Sequence, residues 1–429
     1  MNAALYRRHT RILFSRRRWR MRLVFWGGAL AVGVVSVVFA ALATRATQLC
    51  HAILMRPWFA LILTPLGFAA ASFVTQRFFA GSQGSGIPQA IAARHMKDTA
   101  ARSRLLSIRL AFGKIALTLF CLACGASIGR EGPTVQVGAA ILLQAGRLGR
   151  MVRERGLILA GSAAGVAAAF NTPLAGIVFA IEEMGRAFEQ KNAGLVLIAV
   201  ILAGIASLGL VGNYDYFGTT NSMLIVTIDW VAVIICGIAG GLLGVLFARL
   251  LLAGSALIRC WIARAPKWRP LLLAVACGLV VAVCGMASGG ATYGTGYEPA
   301  RLAVESHGLA WYFAPLKFIA SLASSLAGIP GGIFSPTLSI GAGMGSVIAD
   351  VLHAHAPGAI VLLGMAAYFA GVVQAPITAA VIISEMSNAS AMRLPLLLAA
   401  LIGYGVSRAF QRESLYHALA HDFLERQPA

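Results

Sequence analysis

Apolar residues recur in runs along most of this chain, and short polar or basic segments separate the runs. They span residues 23–49, 58–75, 105–128, 156–182, 194–213, 224–258, 270–287, 309–327, 359–384 and 394–409. Several exceed the roughly 20 residues that a helix needs to cross a bilayer, whereas others are short or broken by Gly and Pro. Because backbone polar groups cannot stay unpaired in lipid, the broken runs are predicted to be buried in protein or to line a cavity.

Landmarks of the first half return in the second half at a constant offset of 203 residues. The segment PTVQVG at 133–138 returns as PTLSIG at 336–341, NTPL at 171–174 returns as QAPI at 374–377, and Lys114 corresponds to Lys317. The chain is therefore predicted to contain two copies of one ancestral unit. This organisation is typical of a transporter or channel whose substrate site lies between membrane repeats. The predicted divisions are a basic segment 1–22, membrane repeats 23–213 and 214–410, and a C-terminal segment 411–429.

The composition supports a membrane protein and excludes several other classes. The 429 residues are 59% hydrophobic and 12% charged, with a mean hydropathy of +0.80, so a soluble protein of this composition would expose too much apolar surface. The sequence has no glycine-rich nucleotide loop followed by lysine, so an ATP-driven pump is not expected. The eight His show no metal-ligand spacing. We therefore expect no cofactor, no metal and no enzymatic activity.

The net charge of +20 is concentrated in short segments. Eight arginines lie between Arg7 and Arg22, immediately before the first apolar run. Such a segment could bind nucleic acid, but no aromatic-lined basic fold follows it, and the positive-inside rule with attraction to anionic lipid explains it better. The N-terminus is thus predicted to be cytoplasmic. The apolar stretch 23–44 is too long for a signal-peptide core and is expected to remain as a membrane helix.

Three segments framed by Gly and Pro carry the candidate chemistry. They are Gly84-Ser85-Gly86-Ile87-Pro88, Gly129-Arg130-Glu131-Gly132-Pro133 and Gly331-Gly332-Ile333-Phe334-Ser335-Pro336. Each is predicted to be a loop that ends at a helix start, because Pro is tolerated in the first turn. Helix N-termini present unpaired N–H donors and the positive end of the helix dipole. Several of them aimed at one point would hold a small anion inside the membrane without a full positive charge.

The three motifs, in this order, resemble the CLC family of chloride channels and proton/chloride exchangers over about residues 25–420. The resemblance implies an all-α polytopic membrane protein with the CLC fold: two inverted-topology repeats of tilted and partial helices. It also implies a homodimer in which each subunit has its own anion pathway, with chloride, protons and the lipid bilayer as partners and no nucleic acid. The regulatory cytoplasmic domains of eukaryotic relatives have no counterpart here. That suggests the bacterial type, in the inner (plasma) membrane.

The resemblance also implies roles for single residues. Ser85 and Tyr416, the latter in the C-terminal segment, match the two residues whose hydroxyls touch the central chloride. Ile333 and Phe334 match residues that offer it backbone N–H groups. Glu131 matches the outer gating glutamate and Glu183 the inner proton glutamate. The surrounding anion-site backbone and helix N-termini would be Gly84, Gly86, Ile87, Pro88, Gly129, Arg130, Gly132 and Pro133.

The repeat separates the acids into two kinds. Glu182 follows Pro173 by nine residues and Glu385 follows Pro376 by nine, so these two are symmetric and are predicted to be structural. Glu183 and Glu131 have no acidic counterparts, since the equivalent positions are Met386 and Phe334. A charged acid near the bilayer centre costs about 3 kcal/mol or more, which makes an asymmetric one a functional candidate.

Two departures from the family pattern and one match to it bear on function. Ser335 stands where many relatives have Ala, and little effect is expected from it. Gln89 and Ile91 stand where some exchangers carry acids on the inner proton route. Ser85 itself favours chloride over fluoride, because the fluoride-exporting branch lacks this serine.

Three functions follow in order of preference. Proton-coupled chloride antiport comes first, because both acids are present. A passive chloride channel of the same fold is the alternative, if Gln89 and Ile91 have uncoupled the proton route. A membrane enzyme or assembly scaffold has no nucleophile–base pair or metal cluster to support it.

Overall fold

The fold is described from a computed structural model that covers residues 16–185, 190–212, 217, 218, 224, 227–305 and 307–425. The described residues are almost entirely helical, as the apolar runs predicted. Most of the basic segment 1–22 and the predicted boundary between residues 213 and 214 lie outside them, as do residues 426–429. The division into segments therefore stays a prediction at those points.

The helices of the first half differ greatly in length, from a 38-residue helix to helices of seven residues. They are α1 (Arg16–Ile53), α2 (Ala60–Phe78), α3 (Ile87–His95), α4 (Thr99–Leu105), α5 (Ile108–Ala123), α6 (Glu131–Leu148), α7 (Glu154–Phe170), α8 (Pro173–Phe179) and α9 (Gln190–Val211).

The second half follows the same alternation of long and short helices. They are α10 (Thr227–Ala263), α11 (Arg269–Ala287), α12 (Tyr297–Val304), α13 (Phe313–Leu326), α14 (Phe334–Val351), α15 (Pro357–Val373), α16 (Pro376–Met386), α17 (Arg393–Phe410) and α18 (Leu415–Glu425).

Seven helical segments of the described chain are long and apolar enough to cross a membrane. They are Trp19–Ile53, Pro57–Phe78, Thr99–Ala123, Asn192–Val211, Trp230–Ala263, Arg269–Ala287 and Ser390–Phe410. Large apolar side chains on these segments are exposed, for example Phe112 at 69% and Ile62 at 61%. Lipid is the environment in which such surfaces are stable. The protein is a multi-pass integral membrane protein.

The repeat found in the sequence is also present in the helix boundaries. Helices α6 and α14 begin 203 residues apart and end 203 residues apart (334 − 131 and 351 − 148). The same holds for α7 and α15 (357 − 154 and 373 − 170). Within each pair the helices pack at glycines: a Cβ at Gly138 would overlap the carbonyl of Gly161, and one at Gly341 would lie 2.7 Å from the carbonyl oxygen of Gly364. These glycines let two buried helices approach backbone to backbone.

The symmetric glutamates hold the two halves together by capping each other's helices. Glu385 accepts hydrogen bonds from the backbone N–H groups of Leu174 and Ala175 at the start of α8, at 3.3 and 2.8 Å. Glu182 accepts the equivalent bonds from Ile377 and Thr378 at the start of α16, at 3.1 and 2.7 Å. A carboxylate at a helix N-terminus satisfies unpaired donors and complements the dipole. These contacts are consistent with the structural role predicted for this pair.

Candidate functional site

The first and third Gly/Pro motifs are joined by backbone hydrogen bonds. Gly84 N–H donates to the carbonyl of Ile329 at 2.9 Å, and Gly331 N–H donates back to the carbonyl of Gly84 at 3.1 Å. Gly86, in the first motif and immediately before the start of α3, has a φ of +101°. A side chain there would be strained by that φ and would meet the Gly132 carbonyl oxygen at 2.9 Å. Gly86 is therefore required by its φ and by a close approach to the second motif, whereas Gly84 is favoured by its φ of +65° alone.

The second and third motifs are joined in the same way. Gly129 and Gly332 exchange backbone hydrogen bonds of 2.6 and 2.8 Å. These glycines occupy equivalent positions of the two repeats, 203 residues apart. A reciprocal bond between equivalent residues lies on the pseudo-twofold axis that relates the repeats. All three motifs therefore meet beside this axis.

Each motif leads into a helix whose N-terminus is buried in the protein, as the sequence predicted. Helix α3 begins at Ile87, α6 at Glu131 and α14 at Phe334. The first N–H groups of a helix have no carbonyl one turn earlier to bind. Three such termini within one cluster of joined loops create a region of positive potential without a fixed cation at its centre.

A buried lysine fixes the loop of the first motif. The Lys114 ammonium donates to the carbonyl oxygens of Ser82 and Gly84 at 2.7 and 2.5 Å. Lys317, its repeat partner, does the same for Thr292 and Gly294, at 2.9 Å each. Both lysines are fully buried. They stabilise the loops that precede α3 and α12.

Two buried hydroxyls lie next to this cluster. Ser85 is 8% exposed and Tyr416 is 0% exposed, and neither hydroxyl oxygen has a hydrogen-bond partner among the described residues. They lie close to each other, near the limit of hydrogen-bond distance. An unpaired buried hydroxyl costs about 1–3 kcal/mol. Two of them facing one space indicate a binding site for a hydrogen-bond acceptor.

A cavity of about 570 Å³ connects these hydroxyls to the surface. Its lining includes Ser85, Ile333 and Tyr416 as well as an ion pair between Arg259 of α10 and Asp422 of α18. The Arg259 side chain is 41% exposed, in contrast to the buried hydroxyls. Small ions can therefore approach the motif cluster along a path that passes a cationic side chain.

Glu131 is fully buried, and its carboxylate is bound by two hydroxyls. Tyr297 donates to one carboxylate oxygen at 2.6 Å, and Ser335 donates to the other. The Nε of Arg130 lies 3.6 Å from the first oxygen. Arg130 in turn donates to the carbonyl of Ala40 and lies over the Tyr297 ring, with its guanidinium carbon 5.8 Å from the ring centre.

Glu183, the second asymmetric acid, is also buried and lies near Tyr416. It is 2% exposed, and the Ser414 hydroxyl donates to its carboxylate at 3.4 Å. A ring nitrogen of His417 lies 2.9 Å from its backbone oxygen. The Tyr416 hydroxyl interacts electrostatically with both Glu183 and Glu131. The predicted anion contact therefore lies within the electrostatic reach of both predicted proton-carrying acids.

The sequence-predicted site residues are brought together, with different kinds of contact. Ile333 lines the cavity at the N-cap of α14. Phe334 packs its ring against Phe170 and Phe369, with ring centres 5.2 and 4.4 Å apart. The loop and helix-start residues lie in or beside the same cluster, Gly84 half-buried and the others buried: Gly86, Ile87, Pro88, Gly129, Arg130, Gly132 and Pro133.

The structure adds three features that the sequence did not predict. Ser335, from which little effect was expected, binds the Glu131 carboxylate directly. Tyr297, which no motif singled out, does so from the other side. The two acids Glu182 and Glu183 lie on a π-helical turn, Ala180–Gly185, a distortion that is frequent at functional sites. A sequence signal existed for Tyr297, because it follows Gly294-Thr295-Gly296, a close match to the Gly-Ser-Gly of the first motif.

Gln89, another departure from the family pattern, is used structurally. Its amide nitrogen donates to the carbonyls of Gln83 and Gly81, at 2.6 and 3.3 Å. It lines the same cavity as Ser85 and Tyr416. At this position, where some exchangers of the family carry an acid, the chain therefore has a neutral amide.

Comparison with known proteins agrees with this architecture. The family model described as voltage gated chloride channel matches residues 67–408. The H(+)/Cl(-) exchange transporter ClcA of Cronobacter sakazakii is 30% identical over 400 residues, which cover 86% of this chain and 80% of the relative. The ClcA transporter of Yersinia pestis is 29% identical over 399 residues, with the same shares covered.

Two solved structures share the fold. A slow cyanobacterial Cl-/H+ antiporter superimposes with a TM-score of 0.83 at 24% identity, covering 95% of this chain and 99% of that one. A CLC-type fluoride/proton antiporter superimposes with a TM-score of 0.77 at 22% identity, covering 93% and 97%. Since the neighbours carry different anions, the fold by itself does not determine the anion.

Proposed function

This chain belongs to the voltage-gated chloride channel family, and on that premise we propose that it exchanges chloride for protons across the membrane. One observation carries the proposal. The buried hydroxyls of Ser85 and Tyr416 have no hydrogen-bond partner among the described residues, and they lie beside three converging helix N-termini. Chloride accepts hydrogen bonds and is weakly basic, so partial charges and hydroxyls hold it without trapping it.

The two asymmetric glutamates supply the proton side of the exchange. In our proposal, ionised Glu131 closes the anion path and leaves it when protonated. Glu183 exchanges protons with the other face of the membrane. Because a bound anion disfavours a nearby carboxylate, chloride occupancy and protonation are linked. Two relatives are named H(+)/Cl(-) exchange transporters, which supports an exchange of protons for chloride.

Purified protein in liposomes should move protons uphill when only a chloride gradient is imposed. We expect chloride and bromide to support this flux and fluoride to support it poorly, because Ser85 and the helix N-termini favour a weakly basic anion. Both fluxes can be followed together with a chloride electrode and an external pH electrode. Chloride flux without proton pumping would instead favour a passive channel, and fluoride flux above chloride flux would contradict the proposed substrate.

We also propose that the protein is a homodimer with one complete pathway in each subunit. The three motifs, Tyr416, Glu131 and Glu183 all come together within one chain, so no site residue is needed from a second copy. Most oligomeric proteins of one chain are symmetric dimers. We expect two subunits per particle in lipid nanodiscs by mass photometry. A uniform monomer that transports at the full rate would contradict the dimer.

The proposed orientation places residues 1–22 in the cytoplasm of a bacterium, with the membrane domain in the inner membrane. The support is the eight arginines before the first span and the positive-inside rule. Cleavage of an N-terminal tag by protease added to intact spheroplasts would contradict it.

A further inference from the structure

Glu131 is held by two hydroxyls that come from distant parts of the chain. Tyr297, at the first position of α12, is 166 residues away in sequence, and Ser335, at the second position of α14, is 204 residues away. Each hydroxyl donates to a different carboxylate oxygen. They also contact each other, with 3.2 Å between the Ser335 and Tyr297 hydroxyl oxygens. Both oxygens of the carboxylate therefore accept a hydrogen bond.

The Tyr297 hydroxyl is delivered by a second copy of the loop that delivers Ser85. In the first half, Gly84 and Gly86 have φ of +65° and +101°; in the second half, Gly294 and Gly296 have φ of +67° and +82°. In each loop the buried lysine binds two carbonyl oxygens: that of the first glycine and that of the residue two positions before it. The loops therefore have the same conformation.

The two loops differ in what their side chains contact. In the first half the loop presents the Ser85 hydroxyl to the candidate anion site, and the helix starts with an apolar residue, Ile87. In the second half the helix starts with Tyr297, whose hydroxyl reaches Glu131. One loop of the repeat thus faces the anion and its copy faces the gating acid.

We propose that Tyr297 and Ser335 are positioning residues that hold the ionised Glu131 carboxylate in the anion path and thereby set the pH at which transport begins. This inference rests on the proposed function of Glu131 as the gate. In this proposal the two hydroxyls act on transport through the carboxylate that they bind.

The other charged or titratable groups around the carboxylate come from two elements. Arg130, at the N-cap of α6, lies 3.6 Å from it, and Tyr416 of α18 interacts with it electrostatically. Glu183 in turn interacts electrostatically with Tyr416. On α14 the contact is the uncharged Ser335, and on α12 it is Tyr297 itself. Arg130 and the helix dipole stay in place when either hydroxyl is removed, so the hydroxyls can be tested separately.

The Ser335–Tyr297 contact has a role when the gate opens. The Ser335 hydroxyl has one proton and two acceptors within reach, the carboxylate and the Tyr297 oxygen. When protonated Glu131 leaves, Ser335 can donate to Tyr297 instead. The Ser335 proton then keeps an acceptor, whereas the Tyr297 proton loses the one that the carboxylate provided and incurs the cost of an unsatisfied buried donor. The pair therefore stabilises the closed state more than the open one.

The test compares the pH dependence of chloride flux in liposomes for wild type, Tyr297→Phe, Ser335→Ala and the double variant. Each single variant removes one donor to the ionised carboxylate and so favours its protonated form. We expect the flux to persist to a pH about one unit higher, which corresponds to about 1.4 kcal/mol. The double variant should shift further, while the flux at low pH, where the gate is open, remains as in wild type.

Matched controls are available in the same elements. Tyr293→Phe removes a hydroxyl from the preceding loop that donates to the Ala282 carbonyl at 3.3 Å, and Ser339→Ala removes one from the next turn of α14. Both should leave the pH profile unchanged. Profiles of Tyr297→Phe and Ser335→Ala that overlay on a pH-dependent wild type would overturn the inference.

A test in a second protein variant distinguishes failure of this inference from failure of the proposed function. In Glu131→Gln protein, adding Tyr297→Phe should have no further effect on the pH profile, because the group through which it acts is gone. A further shift there would show that Tyr297 acts elsewhere and would overturn the inference. By contrast, a wild-type protein without any chloride-driven proton flux would contradict the proposed function itself.

Discussion

Glu131→Gln protein should carry chloride at a rate that does not change with pH, and it should move no protons against their gradient. Glutamine keeps the size of the side chain but cannot be ionised, so it can neither close the anion path by charge nor carry a proton. Charge-assisted hydrogen bonds contribute about 1.5–3 kcal/mol each. Removing the charged, bound form should therefore raise chloride flux at high pH by roughly tenfold or more.

The measurement is chloride efflux and proton uptake from the same liposomes at several pH values. Glu305→Gln is a suitable control, because Glu305 forms an exposed ion pair with Arg301 away from the motifs. It should behave as wild type. If Glu131→Gln protein still pumps protons on a chloride gradient, the gate has been assigned to the wrong residue.

Glu183→Ala is expected to stop proton transport while chloride still flows. Glu183 is buried next to Tyr416 and Ser414, and its position has no acidic counterpart in the other repeat. Removing its carboxyl removes the proposed proton carrier but none of the hydroxyls or helix N-termini proposed to contact the anion. Proton flux should fall to the level of protein-free liposomes, with chloride flux of the same order as in wild type.

The neighbouring Glu182 provides the matched control. It caps α16 through the N–H groups of Ile377 and Thr378 and through the Thr378 hydroxyl. Loss of such a cap costs about 0.5–2 kcal/mol. Glu182→Ala should therefore lower the melting temperature and keep the coupling of protons to chloride. Coupling lost in Glu182→Ala but intact in Glu183→Ala would reverse the two roles.

The sequence contained enough information for the architecture and for the contrast between the two glutamates. A constant offset relates the landmarks of the two halves, and the boundaries of α6, α7, α14 and α15 follow that same offset. The offset also identified Glu182 and Glu385 as equivalent, and their reciprocal caps require that equivalence. These features were predictable because they are properties of a repeat, which is visible along the chain.

Contacts between non-equivalent parts of the two repeats could not be read in this way. The approach of Tyr297 and Ser335 to Glu131 depends on how α12 and α14 are placed against α6, and no spacing along the chain encodes that placement. Ser335 was expected to have little effect because only its substitution pattern was visible, and its hydroxyl acquires a partner only in the folded protein. The π-helical turn at Ala180–Gly185 is likewise a product of packing, since its sequence is compatible with an ordinary α-helix.

The reciprocal caps of α8 and α16 have a consequence for how this chain arose. Each half contains both the glutamate and a helix start, but each cap crosses from one half to the other, so a half-length ancestor could not have formed the cap within one copy. Two copies of that ancestor, inserted in opposite orientations about a twofold axis, would have capped each other with one and the same residue. Gene fusion then made the contact intramolecular. On this account the internal caps would correspond to a former subunit interface, and their two ends would have been free to diverge only after the halves became one polypeptide.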